Sequence, residues 1–183
     1  MSYGIEFGQA MQRTSAWSLK HENIPRTDKR YLTPEMMCKV TACLQECMGH
    51  FDAEKIAVQC FAFSGFVQDA LEEVLDVPLT YTLGFVKLGN KPIFYTSMEG
   101  LKEMLDAGRP ATATLNLHAW LTLPSDEIID VTFGTTLGVL RNEPEMIGRI
   151  ATIHPDDMVG EHSYHPQLLG DDFLRRIGVL VEL

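Results

Sequence analysis

From Ala111 to Leu123 the chain alternates without a break. Ala111, Ala113, Leu115, Leu117, Ala119, Leu121 and Leu123 share one parity, while Thr112, Thr114, Asn116, His118, Trp120 and Thr122 share the other. A period of two belongs to a strand with one buried face. The pattern therefore predicts a strand over 111–123, apolar side inward. Pro124-Ser125-Asp126 is turn chemistry, and 128-IIDVT-132 predicts a returning strand. Helical spacing comes earlier. Thr33-Pro34-Glu35 offers an N-cap hydroxyl and a first-turn proline, so a helix is expected to about Met48, with Gly49 as its stop. Phe63, Phe66, Val67, Ala70, Leu71, Val74 and Leu75 recur at helical spacing, and Pro78 marks the exit. That second helix starts either at Asp52 or near Cys60; the pattern leaves both open.

Thr80–Val86, rich in β-branched and aromatic residues, predicts a strand. A turn follows over Lys87–Lys91, and the strand resumes at Ile93-Phe94-Tyr95. Ser97–Ala107 reads as a short helix closed by Gly108. The stretch with Pro144, Pro155 and Pro166 reads as loop, and Ile177–Leu183 as a closing strand. Residues 1–32, polar and weakly periodic, read as an irregular surface arm before a single domain over 33–183. Helices followed by mostly antiparallel strands define an α+β domain.

Composition narrows the partners. The 183 residues suit one domain, and 45% hydrophobic with 22% charged is an ordinary globular balance. A formal charge of −10 argues against nucleic acid or an anionic membrane surface, both of which select clustered Lys and Arg. No apolar run approaches the roughly 18 residues of a membrane span. The N-terminus has neither a basic nor an apolar leader region, so the expected location is cytoplasmic. The four cysteines, Cys38, Cys43, Cys47 and Cys60, are then expected as free thiols. No motif sets an oligomeric state.

The hairpin supplies candidate chemistry. With Pro124-Ser125-Asp126 as a three-residue loop, Leu123 faces Glu127 and Trp120 faces Asp130. His118 becomes the diagonal neighbour of Asp130 on one face. A two-residue loop would put the pair on opposite faces. Trp120 beside His118 is a suitable wall for a cleft. A catalytic thiol works as the thiolate, favoured by a helix N-terminus and an adjacent imidazolium. An acceptor at the second ring nitrogen fixes the tautomer, the part a carboxylate plays. Cys60, His118 and Asp130 match these three requirements. The backbone N–H of Cys60, with a side-chain amide from Gln59 or Gln45, would form an oxyanion hole. Each residue also has a plain structural role. Cys60 lies in the apolar run 56-IAVQCFAF-63 without a Ser, Thr, Asp or Asn before it, and a His–Asp pair across a turn is often only a satisfied surface pair.

Taken together, Cys60 in 59-QCFAFSGF-66, His118 in 117-LHAW-120 and Asp130 in 128-IIDVT-132 resemble the transglutaminase-like branch of the papain-like cysteine hydrolases. The resemblance covers roughly residues 55–135. It implies a nucleophile-bearing helix packed on an antiparallel sheet and a Cys60–His118–Asp130 triad. It also implies a peptide or small amide or ester substrate, and no cofactor or metal. A catalytically inactive binding domain of the same fold is the alternative.

Other constellations are weaker. Cys43 and Cys47 share a helix face but Cys38 lies about 140° from Cys43, a poor zinc pattern; buried helical cysteines are expected. The segment 154-HPDDMVGEHSYHP-166 gathers His154, Asp156, Asp157, His162 and His165 without a metal framework; loops of this composition are commonly just solvated, and a rim or lid over the cleft is the other reading. No phosphate-binding glycine loop, dinucleotide fingerprint or serine nucleophile elbow is present.

Overall fold

The computed structural model describes residues 2–158 and 162–180. In chain order the elements are α1 (Tyr3–Ala16), α2 (Pro34–Met48), α3 (Ala53–Ile56), α4 (Cys60–Leu75), β1 (Thr80–Leu88), β2 (Lys91–Ile93), α5 (Met98–Ala107), β3 (His118–Thr122), β4 (Ile128–Asp130), α6 (Phe133–Arg141), β5 (Ala151–Ile153), β6 (His162–Leu169) and α7 (Asp172–Arg176). The class is α+β with antiparallel pairing. The chain divides into two compact units. The first comprises Met1–Asn23, Thr82–Ala119 and Pro155–Leu183; the second comprises Ile24–Tyr81 and Trp120–His154. Among the described residues no helix is long and apolar enough to cross a membrane.

In the first unit β1 pairs with β2 on one edge, Val86 opposite Ile93, and with β6 on the other, Phe85 opposite His165. β6 lies in the stretch expected to be loop. It accommodates Pro166, which has no N–H, opposite Gly84 beside a register shift. The stretch read as an irregular arm contains a helix, Tyr3–Ala16. Tyr3, Phe7, Ala10 and Thr14, spaced by three or four, form its buried face and pack against β6. Thr14 Oγ1 donates to Ala10 O (2.8 Å) and accepts the N–H of Leu169 (2.9 Å). α5 has the expected cap, Ser97 Oγ accepting the Gly100 N–H at 3.1 Å, and Gly108 closes it at φ +63°. Two expected strands shrink. Only His118–Thr122 of the alternating stretch is strand, and Ala111–Thr114 are exposed. Ile177–Leu180 form a turn and bend, and 181–183 lie outside the described residues.

In the second unit Thr33 Oγ1 accepts the Met36 N–H (3.3 Å) and α2 stops at Gly49, as the sequence predicts. α2 packs on α4, and the buried residues of the two helices are Val40, Leu44 and Met48 on the first and, among others, Phe63, Val67, Leu71 and Leu75 on the second. Each such side chain contributes about 1.5–3 kcal/mol by leaving water. The β3–β4 register is Leu121 opposite Ile129 and Thr122 opposite Ile128, and the Leu123 N–H reaches Glu127 O at 2.9 Å. The three-residue loop is therefore the one found. The predicted half-wet strand is not, because His118 to Leu123 are buried on both parities. Glu127, 3% exposed, explains part of this. Its carboxylate accepts the N–H groups of Tyr31 (2.7 Å) and Leu32 (3.0 Å) and the Ser125 hydroxyl (2.6 Å), binding the 24–32 segment to the turn.

Candidate functional site

Cys60 is the first residue of α4, which resolves the open question of where that helix begins. The separation is made by the backbone. α3 ends at Ile56, and Val58 then adopts φ +58° while 59% exposed, a left-handed conformation that β-branched residues avoid. Holding it costs about 1–2 kcal/mol. The Val58 N–H donates to Thr136 Oγ1 at 3.1 Å, which anchors the turn onto α6. Gln59, exposed, occupies the N-cap position without a side-chain capping bond. The sulfur therefore sits at the positive end of a 16-residue helix, where negative charge is favoured. Cys60 is 7% exposed.

Asp130 ends β4 and is 1% exposed. Its Oδ1 accepts the N–H groups of Thr132 and Phe133, both at 3.0 Å, and lies 3.4 Å from the Thr132 hydroxyl. These bonds turn the chain into α6, an element the sequence reading did not anticipate, and they fix the plane of the carboxylate. Asp130, two positions before the N-cap Thr132, thus holds the turn into α6 as well as being a candidate orienting group.

Cys60 and Asp130 belong to the second unit and His118 to the first. His118 opens β3 and is 1% exposed, with its ring stacked on Phe94 at 5.6 Å and 25°. Phe94 is itself held at φ +59°. Trp120 is completely enclosed.

The second unit also contains a cavity of about 240 Å³, lined chiefly by Leu44, Met48, Phe51, Ile56, Val131 and Ile150. Gln45, a candidate oxyanion donor, lines it too. The sequence pattern gave no sign of it, because its walls come from three separate segments. The expectation of buried cysteines in α2 is corrected: Cys38 is exposed, and Cys43 and Cys47 are half-buried. Partial burial, then the neighbouring Cys47 and the Glu46 and Glu73 carboxylates, push the Cys43 thiol up to about 11. His162 and His165 lie on β6 rather than in a rim loop. Among the described residues no three His, Cys, Asp or Glu side chains gather to hold a metal.

Comparison with family models, with curated proteins and with solved structures finds no match.

Proposed function

We propose that this chain performs thiol-dependent acyl chemistry on a peptide or a small amide or ester, as a cytoplasmic member of the papain-like, transglutaminase-like class. The observation that carries the reading is Cys60 as the first residue of α4, set there by the strained Val58. Backbone strain of this kind concentrates at functional sites because it is kept only where something else requires it.

In this reading Cys60 Sγ attacks the carbonyl carbon while His118 takes the thiol proton. The Cys60 N–H stabilises the oxyanion, and Asp130 holds the ring in the working tautomer. Collapse expels an amine or alcohol, which leaves with the proton returned by His118. Water or a second amine then cleaves the thioester, giving hydrolysis or transfer. Four free thiols agree with a reducing compartment.

Iodoacetamide at mildly acidic pH tests the proposal. By accessibility alone the exposed Cys38 reacts first and the 7% exposed Cys60 last. The proposal expects the reverse order, with Cys60 modified fast and stoichiometrically, and slowed in His118→Ala. Uniformly slow labelling, with Cys60 last, supports the second reading. That reading is a non-catalytic binding domain, favoured by the burial of Cys60 and Trp120, with the 240 Å³ cavity as its ligand site.

A further inference from the structure

His165 stands in a second cluster that lies wholly within the first unit. Ser163 and His165 are two residues apart on β6, so they share a face. Across the ladder Lys87 is opposite Ser163 and Phe85 opposite His165. Glu6 reaches the same face from the first turn of α1. The Ser163 Oγ lies 2.9 Å from His165 Nε2, and His165 Nδ1 lies 2.7 Å from Glu6 Oε2. The imidazole is laid flat on the Phe85 ring, 4.8 Å away and tilted by 13°. Tyr95, 47% exposed, meets Phe85 edge-on at 4.8 Å, and Lys87 Nζ is 5.9 Å from that ring.

The order of these contacts matters more than their number. A histidine kept only for structure needs its nitrogens satisfied by any partner. A carboxylate can only accept, so a neutral ring carries its proton on Nδ1 and turns the Nε2 lone pair toward the serine hydroxyl. That is the polarity of nucleophile, base and orienting acid, and such sets are recognised by geometry rather than by sequence order. The side chains of His165 and Glu6 are 17% and 19% exposed, sheltered yet reachable. No nucleophile-elbow motif announces Ser163, because it lies on a strand and its acid is 157 positions earlier in the chain.

We propose that Ser163, His165 and Glu6 form a second acyl-transfer centre, independent of Cys60, that accepts small aryl esters. The aryl group lies against Phe85 and Tyr95. Ser163 Oγ bonds to the ester carbonyl carbon as its proton passes to His165 Nε2, and the Lys87 ammonium faces the developing oxyanion. The aryl–oxygen leaving group departs with the proton from Nε2. Water, giving its proton to His165, then releases the carboxylic acid and restores Ser163.

The test is an aryl fluorophosphonate, whose P–F bond breaks as a Ser163 O–P bond forms, read by intact mass and peptide mapping. The Cys60→Ala protein is used, so that failure of the thiol proposal and failure of this one are separable. One adduct on Ser163 is expected, absent in Ser163→Ala and slowed at least tenfold in Glu6→Gln and His165→Gln, with unchanged circular dichroism throughout. No adduct, or one that persists in Ser163→Ala, overturns the proposal. A Ser163→Cys, Cys60→Ala double variant provides a second readout. Its new thiol should alkylate faster than the exposed Cys38; a slower rate shows that His165 is not acting as a base and also overturns the proposal.

Discussion

In the proposed mechanism Asp130 has two roles, one in the turn into α6 and one toward His118, that one pair of substitutions separates. Its Oδ1 accepts two backbone N–H groups at 3.0 Å in a site 1% exposed. Hydrogen bonds to a charged acceptor are worth about 1.5–3 kcal/mol each, so Asp130→Ala should cost roughly 3–6 kcal/mol. Asparagine keeps an accepting oxygen at Oδ1. Neutral bonds of the same geometry retain about half the strength, so Asp130→Asn should lose about half as much. The catalytic consequence runs the other way. An amide in place of the orienting carboxylate favours the wrong imidazole tautomer, an effect worth about 10⁴ in rate in triad hydrolases. Asp130→Asn should therefore stay folded while its acylation rate collapses. Thermal unfolding and rate measurements on the same preparations check both parts. If Asp130→Asn is as unstable as Asp130→Ala, the account of the turn is wrong. If it acylates at the wild-type rate, Asp130 orients nothing.

Val58→Gly should raise stability by about 0.5–1 kcal/mol, because glycine takes φ +58° without the steric penalty; a lower melting temperature contradicts the strain. Gly134→Ala should have the opposite sign to most helical glycine replacements. An added Cβ would sit 2.5 Å from Arg149 O and 3.1 Å from Met146 O, backbone atoms that cannot move aside, so a loss of about 1–3 kcal/mol is expected where a gain of about 1 is usual. A gain refutes the close approach. Thr14→Val strands the buried Leu169 N–H, costing about 1–3 kcal/mol and speeding hydrogen exchange at that amide; unaltered exchange there would refute the bond's role.

Local chemistry made part of this fold legible. Thr33-Pro34, Ser97 with Gly108, and Pro78 mark boundaries that caps and breakers dictate by themselves. The Pro124-Ser125-Asp126 loop likewise set the β3–β4 register. What escaped was decided at long range. α1 has an ordinary mixed sequence and is defined by the β6 surface that covers Phe7 and Ala10. α6 contains two glycines and two threonines, poor helix formers whose entry the Asp130 carboxylate holds in place. The alternation of 111–117 was complete, yet alternation says nothing about a neighbouring strand, and without one those residues stay irregular. At the candidate site, a helix start near Cys60 was one of two that the pattern left open, and the sequence could not choose between them. The turn before it is made by Val58 in an unfavoured conformation and by a hydroxyl on α6, neither of which is a sequence signal. The Ser163–His165–Glu6 set was hidden for the same reason, since its acid and its base come from opposite ends of the chain.

The central claim is that Cys60 accepts an acyl group, and trapping that group tests it most directly. An activated ester is mixed with the protein, quenched in acid and mapped by peptide mass spectrometry, with and without neutral hydroxylamine, which cleaves thioesters and spares serine oxyesters. The account predicts one hydroxylamine-labile acyl group on Cys60 that forms in wild type and not in Cys60→Ala or His118→Ala. An unmodified Cys60, or labile adducts only on Cys38, Cys43 or Cys47, contradicts it.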